Sequence, residues 1–399
     1  MVDRILFCVD NSAAGAPCAR WCRELARVFS WQVVAAHVYA ARLHDQRFAE
    51  LEPTLPGDHQ DPKRLEASRR THDSLIEKGL KLISDSYLDA IRSQLDGTPL
   101  EVRALEGKHW VELVKEAANG YGLCVIGARG LGLDSVPDGP PAGLLGSVCE
   151  RFLRAVREDV LVVREGSFQG PLMACVDGSP ESYSALRKAL KLADRLGRTL
   201  EVVAAFDPHF HPAAFKQIAQ VLSEKDSKMF RFKEQEKLHD EIIDRGLESL
   251  YQGYLENARF LATGREVALA TTLLHGKPAI QIARRAGEIG ASVVVVGRHG
   301  LHRTESGDMG STAEAVVRLS PSSVLVCHDA AAPAELDWTE EATARLAHLP
   351  AFIQPMVKKA VESHARARGI RQITPAVVSA AKQEHGVPLP GHGKPPSHE

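Results

Sequence analysis

Four consecutive valines, Val293 to Val296, run directly into Gly297-Arg298-His299-Gly300 and, after Leu301 to Met309, into Gly310-Ser311-Thr312. An unbroken β-branched run suits a strand buried on both faces, and such strands belong to parallel sheets covered by helices on each side. Ala313 to Leu319 then carries helical apolar spacing, so the chain passes from strand through a glycine turn and a loop into a helix start. That order of elements presents backbone N–H groups and the positive end of a helix to an anion, phosphate above all. Glycine suits the turn because it accepts positive φ and lets a ligand approach the backbone. No Gly-Lys-Ser/Thr closes the loop as in a Walker A motif, and the glycine spacing is not that of a dinucleotide fingerprint. The alternative is a tight strand-to-helix turn that holds nothing.

The same arrangement occurs twice. A strand at residues 4–9 ends in Asp10-Asn11-Ser12, and one at residues 171–176 ends in Asp177-Gly178-Ser179, the aspartates 167 positions apart. Val33-Val34-Ala35-Ala36 returns as Val202-Val203-Ala204-Ala205 at an offset of 169, after which 167 resumes. It then links His44 with His211, His72-Asp73 with His239-Asp240, and Tyr87-Leu88 with Tyr254-Leu255. Gly107-Lys108 returns as Gly276-Lys277, and Gly127 as Gly297. This is the duplication of a domain-sized unit. In each half a helix follows the aspartate (Ala13 to Phe29; Ser182 to Leu196), then a second strand, a long insertion, and a third strand (Leu100 to Leu105; Glu266 to Leu274). A helix, the glycine-ended strand, another helix and a short last strand (Val160 to Val163; Val324 to Cys327) complete the unit. Strands alternating with helices predict right-handed crossovers and a parallel sheet. Ligands of such sheets sit outside the carboxyl ends of the strands, where Asp10, Asp177 and both glycine loops fall. An aspartate in that place also serves to cap the next helix.

With 399 residues the chain has room for two or three domains, and a net charge of −2 argues against wholesale binding of nucleic acid. No apolar run approaches a membrane span, and the chain opens on a strand-like Ile5-Leu6-Phe7-Cys8-Val9 rather than a signal peptide. Seven cysteines without a Cys-x2-Cys motif predict reduced thiols in a cytoplasm. Cys18 and Cys22 lie one helical turn apart, as small packing residues or as a redox pair.

The spacing of Gly297, Gly300, Gly310 and Ser311, Gly-x2-Gly-x9-Gly-Ser/Thr, resembles the nucleotide-binding signature of the universal stress protein family, and the likeness extends over residues 1 to about 329. It implies two flavodoxin-like, adenine-nucleotide-α-hydrolase-like α/β units in tandem, residues 1–166 and 170–329, each with strand order 3-2-1-4-5. They would form a pseudo-dimer within one chain, with a homodimer as a further level. It also implies that Asp177 contacts the adenosine part of ATP or another adenine nucleotide. Gly297, Gly300, Gly310, Ser311 and Thr312 would hold the phosphates, and Arg298 and His299 of the same loop complete the nucleotide-binding set. Asp10, Gly127, Gly130, Gly146 and Ser147 are the counterparts in the first half. There the loop from Leu131 to Leu145 is longer and carries three prolines, and Asn11 replaces Gly178. The second half is therefore the expected site.

His44 and His72 in the first insertion match His211 and His239 in the second. Imidazole is both a metal ligand and a proton shuttle, so one reading is a site for Mg2+ or another divalent cation. The other is a set of histidines hydrogen-bonded where the insertions dock. His209 would add a ligand in the second half alone, and His299 is exposed by its loop position.

After a linker at Ala330 to Ala334 the pattern becomes purely helical. Thr339-Glu340-Glu341 opens a helix to Leu349, Pro350 opens one to Arg368 stopped by Gly369, and Thr374-Pro375 opens a third to about Glu384. The tail, 386–399, is proline-rich and predicted to be disordered. Residues 336–385 resemble the small helical domain at the C-terminus of the B subunit of light-independent protochlorophyllide reductase. Trp338, Ala342, Leu346, Pro350, Phe352, Val357, Glu362, Gly369, Thr374 and Val378 carry that likeness. It implies a small all-α domain that meets a protein partner, and nothing in it suggests chlorophyll chemistry. The basic run Lys358, Lys359, Arg366, Arg368, Arg371 reads as a solvated face or a contact for an acidic partner.

The expected protein is an ATP-binding stress-response regulator or adaptor, at most a weak ATPase, with no assigned catalytic residue. Two alternatives stay open: a slow metal-assisted nucleotide phosphohydrolase using Asp177, His211, His239 and His299, and a nucleotide-free scaffold docking a redox or metabolic enzyme.

Overall fold

The computed structural model describes residues 3–57, 60–134, 143–166, 168–208, 244–301, 308–328, 336–347, 354–367, 370 and 372–385. In chain order the first half comprises β1 (Arg4–Val9), α1 (Gly15–Phe29), β2 (Gln32–Tyr39), α2 (Ala41–Leu51), α3 (Pro62–Gln94), β3 (Leu100–Glu106), α4 (His109–Ala117), β4 (Leu123–Gly127), α5 (Leu131–Asp134), α6 (Ser147–Ala155) and β5 (Val160–Val163). The second comprises β6 (Leu172–Cys175), α7 (Pro180–Leu196), β7 (Leu200–Phe206), α8 (Asp244–Ala262), β8 (Leu269–His275), α9 (Pro278–Glu288), β9 (Val293–Gly297), α10 (Ser311–Leu319) and β10 (Ser323–Cys327).

Among the described residues the ten strands of the two halves form one sheet, in the order β3-β2-β1-β4-β5-β10-β9-β6-β7-β8. Each half is parallel in the order 3-2-1-4-5, as expected. The halves meet at an antiparallel pairing of their last strands, with Val162 opposite Val324, Leu161 opposite Leu325 and Val160 opposite Val326. The valine runs behave as both-face burial requires: Val293, Val294 and Val295 are fully buried. Alternate residues feed two cores. On one face α1, α3, α7 and α8 close over Ile5, Phe7, Leu172 and Val295. On the other, α4, α6, α9 and α10 close over Leu6, Cys124, Met173 and Val294.

Local sequence sets the helix ends. Asp61 caps α3 by accepting from the N–H groups of Lys63 and Arg64, each at 3.1 Å, with Pro62 in the first turn. Ser179 caps α7 by accepting from Ser182 N–H at 3.1 Å, and Gly197 closes it in the left-handed conformation, φ 62°. Ser30 ends α1 in the same conformation, φ 57°.

The strand register corrects one step of the repeat. Ile5 pairs with Val33 and Leu172 with Leu200, so the counterpart of Val33 is Leu200 and the offset stays at 167 through β7. A two-residue slip leaves every side chain on its own face, so the apolar pattern cannot detect it.

Side chains reinforce the seam. Glu150 and Arg154 on α6 face Arg318 and Glu314 on α10, with Arg154–Glu314 and Arg318–Glu150 each at 2.7 Å. Buried Arg298 donates to the carbonyls of Leu153 and Arg154 at the end of α6, at 2.6 and 2.7 Å. Reciprocally, Arg164 donates to the carbonyl of Val317 at the end of α10, at 2.8 Å. Cationic groups there also suit the negative ends of both helix dipoles.

The C-terminal unit holds α11 (Glu340–Ala347), α12 (Gln354–Ala367) and α13 (Pro375–His385) around Ala342, Val357, Val361 and Ile373. It is not purely helical: β11 (Asp337–Trp338) pairs in parallel with β12 (Gln372–Ile373). Two-residue strands leave no periodic trace in a sequence. Trp338 Nε1 donates to Glu362 at 3.1 Å, and α13 packs against α8 of the second half. His209, His211 and His239, the linker at 330–334 and the tail at 386–399 lie outside the described residues.

Candidate functional site

In each half β1 and β4, or β6 and β9, are neighbours whose connections leave in opposite directions, so a crevice opens at their carboxyl ends. In the second half this crevice is a cleft of about 530 Å3. Its lining includes Asp177, Gly297, His299, Gly300, Gly310, Ser311 and Thr312, seven residues expected from the sequence.

Asp177 ties the cleft together. Its Oδ1 accepts from Ser179 N–H at 3.0 Å and Ser179 Oγ at 2.6 Å, while Oδ2 accepts from Leu301 N–H at 3.1 Å. The carboxylate lies so close to Gly300 that a Cβ there would overlap Oδ2. Gly297 presses on the backbone of Glu181 at the start of α7, where a Cβ would stand 3.2 Å away. Gly310 N–H donates to the carbonyl of Arg298 at 2.9 Å, folding the loop back on itself. Gly310 is also the N-cap of α10 and no side chain caps that end, so the first amides of the helix open beside exposed Ser311 and Thr312.

Two loop residues are placed differently from expectation. Arg298 points out of the cleft to the seam, held by the two α6 carbonyls, because the neighbouring half offers it partners there. His299 is not exposed: it lines the cleft at 8% exposure, enclosed where the loop folds back. The structure also adds residues the sequence reading passed over. Asp308 and Tyr251 line the cleft, and Tyr251 joins an aromatic wall with Phe206 and Tyr254, at ring separations of 5.4 and 5.2 Å. Tyr254 closes on Gly178, whose φ of 84° and missing Cβ admit the tyrosine ring. The repeated Tyr87/Tyr254 match was the available signal, and Tyr251 lies nearly one turn before it on α8.

The first half repeats this frame around a cleft of about 580 Å3, which Asp10, Gly127, Gly130, Gly146 and Ser147 all line. A Cβ on Gly130 would stand 2.7 Å from Asp10 Oδ2, the same lock as at Gly300. The lining chemistry differs. His37, His109 and Tyr87 enter it, and His37 bonds Ser84 Oγ through Nδ1 at 2.8 Å. Burial, with His109 nearby, holds the His37 imidazole down at a pKa of about 4. Asn11 takes the place of Gly178 without a positive φ.

Among the described residues no three His, Cys, Asp or Glu side chains are grouped so as to hold a metal ion. His44 is exposed on α2, and the side chain of His72 on α3 is outside the described set. All seven cysteines are free, and Cys18 and Cys22 lie on the buried face of α1 with the pKa of each thiol raised by burial. Among the described residues no helix is long and apolar enough to cross a membrane.

Comparison with known proteins agrees with this frame. The family model of the Universal stress protein family matches residues 1–164 and again 170–328, and that of the Proto-chlorophyllide reductase 57 kD subunit matches residues 338–382. A Staphylococcus epidermidis protein named for the first of these families is 32% identical over 157 residues, 39% of this chain and 81% of its own length. A Staphylococcus aureus protein named likewise is 31% identical over 166 residues, covering 41% and 87%. Among solved structures, a universal stress protein from Archaeoglobus fulgidus superposes with a TM-score of 0.51 at 16% identity, covering 82% of this chain and 98% of its own.

Proposed function

The chain belongs to the universal stress protein family, with two copies of the family's unit and a further helical segment, and from that premise we propose that it is an adenine-nucleotide-binding regulator whose main site is the cleft of the second half. The observation that carries this reading is the convergence of Gly300, Gly310 and the open start of α10 on one cleft. A side chain at Gly300 would collide with Asp177, so the position stays without a Cβ and the loop backbone lies against the carboxylate at the cleft wall. Amides of Ser311 and Thr312 and their hydroxyls then suit phosphate oxygens. Val203, Ala205, Ile282 and Tyr251 supply an apolar and aromatic wall for a purine.

Asp308 and the hydroxyls of Ser311 and Thr312 are the oxygen donors that would hold Mg2+ accompanying a triphosphate. Such an ion would neutralise phosphate charge that Asp308 alone would repel. The regulatory part of the reading rests on α8: it carries Tyr251 into the cleft and also packs against α13. A nucleotide seated on Tyr251 therefore touches the same helix as the C-terminal unit. Domains at 1–166, 170–329 and 336–385, and a partner met through the last, belong to this proposal.

Titration calorimetry of the intact protein with Mg-ATP tests it. Binding is expected in the second cleft, and Gly300→Ala should weaken it at least about tenfold, roughly 1.4 kcal/mol. Mass spectrometry of molecules released from freshly purified protein should find an adenine nucleotide. No heat with ATP and no released nucleotide would leave the scaffold reading in its place.

A further inference from the structure

We infer that the seam between the halves holds a second ligand site, unrelated to the nucleotide clefts, built for an aromatic anion. Where β5 meets β10, helices α1 and α7 stand on either side, and among the described residues they leave the sheet partly uncovered. A cavity of about 470 Å3 lies there. Leu161, Leu325, Leu123 and Val293 of the sheet face it, with Trp21, Phe29, Trp31 and Tyr121 around the first-half side and Lys188 and Lys191 on the second-half side. None of these residues lines either nucleotide cleft.

The pseudo-two-fold relation of the halves shows what such a space accepts. Its twin lies at the other end of the seam, since Trp21, Leu25 and Trp31 correspond to Lys188, Leu192 and Arg198 at the offset of 167. The twin is filled by the connection between the halves. Arg164 N–H donates to Ser323 Oγ at 3.1 Å, and a Cβ on Gly166 would stand 3.0 Å from the carbonyl of Pro321. Ser292 Oγ then donates to the carbonyl of Gly170 at 2.8 Å. Between them Phe168 stacks edge-on against Trp21, centroids 4.7 Å apart, with the guanidinium groups of Arg198 and Arg20 at 5.2 and 5.4 Å from its ring. The fold thus stabilises an aromatic ring at one end of the seam by ring-edge and cation–π contact. At the other end no described residue takes the place of Phe168, and the same ingredients, aromatic rings and cations, stand around the cavity. The sequence after His328, Asp-Ala-Ala-Ala-Pro-Ala, contains no aromatic residue to match Phe168.

Charge gives the ligand its sign. Arg157, Lys188 and Lys191 are set against Glu158 and Asp159, and Asp159 already serves Lys188 Nζ and the N–H of His328, each at 2.8 Å. One cation is in excess, and Lys191 Nζ lies 5.3 Å from the Phe29 ring, beside the aromatic wall. An aromatic body therefore lies between tryptophan and sheet, with a carboxylate or sulfonate at the lysine rim. The volume falls within the range of small-molecule pockets, about 300–1,000 Å3.

The probe is 8-anilinonaphthalene-1-sulfonate, an aromatic sulfonate, titrated by fluorescence into the full chain with and without saturating Mg-ATP. One site per chain is expected, unaffected by ATP. Leu192→Trp should abolish it by filling the cavity, and exposed Lys191→Glu should weaken it by about threefold to tenfold with an unchanged circular dichroism spectrum. Displacement of the probe by ATP would overturn the inference by placing it in a nucleotide cleft. So would absence of binding, which means the seam is already closed by the chain itself. So would affinity unchanged in Lys191→Glu, whatever the fate of Leu192→Trp. None of these outcomes bears on whether the second cleft binds ATP.

Discussion

A methyl group at position 300 has nowhere to go, because Asp177 Oδ2 already occupies the place of a Cβ. Gly300→Ala must push the carboxylate off Leu301 N–H or shift the loop, at a cost of about 1–3 kcal/mol in stability besides the loss of nucleotide affinity. Gly130→Ala meets the same obstacle at Asp10, 2.7 Å away, yet should leave the second cleft's ATP affinity as it was. Calorimetry on the pair separates the two sites: equal losses from both would mean the clefts are not independent. His37 supports a pH prediction. Its imidazole takes a proton near pH 6.5 when unfolded but only at about 4 when folded, so unfolding binds a proton between those values. The part of the stability that His37 contributes should be flat above pH 6.5 and fall as the pH drops towards 4. His37→Gln keeps a partner for Ser84 and should flatten that slope in urea midpoints taken at pH 7.5 and 5. An unchanged slope would assign it to other groups. Glycines and aspartates were legible at this scale because each does a backbone task tied to chain order. His37 and His109 were not, since only the pairing of β2 with β3 and the turn into α4 bring them to one cleft.

Arg298 shows how an element's surroundings override its position in a motif. A cation in a phosphate loop reads as a phosphate ligand, yet its guanidinium closes the end of α6 in the other half. The counterpart of Arg298 is Ala128, which cannot return the contact, and Arg164 closes the end of α10 instead. A repeat compared with itself hides such a contact, because it lies between the copies. Arg298→Ala should lower the urea midpoint, with roughly 2–3 kcal/mol lost as two helix-end carbonyls lose a charged donor. ATP affinity should stay within about twofold of wild type. A selective loss of affinity with unchanged stability would return Arg298 to the nucleotide. At this scale the helices and the valine strands were readable from apolar period and capping residues. The β7 register and the β11–β12 pair were not, since a two-residue slip and a two-residue strand both leave the pattern intact.

At the scale of the whole molecule, the sheet is made continuous by one antiparallel pairing between the halves. Ser323 to Cys327 is buried along its entire length because β5 lies beside it. Removing the first half would turn β10 into an unprotected edge of Val324, Leu325 and Val326, with unpaired N–H and C=O groups along it. Exposed, flat and apolar, such an edge pairs with whatever strand is offered. The nearest equivalent is β10 of another copy, since β5 and β10 have nearly the same sequence, Val-Leu-Val-Val against Val-Leu-Val-Cys. The rim can follow, because Glu314 and Arg318 on α10 are the same charge pair as Glu150 and Arg154 on α6. A fragment of residues 170–328 should therefore run as a dimer in size-exclusion chromatography with light scattering, while Leu325→Lys in the fragment should return it to a monomer. Leu325 is also part of the seam cavity, so the substitution belongs in the fragment and not in the intact chain. A wild-type fragment that stays monomeric with a native circular dichroism spectrum would show that the halves are held by their linker and helices rather than by the strand pairing.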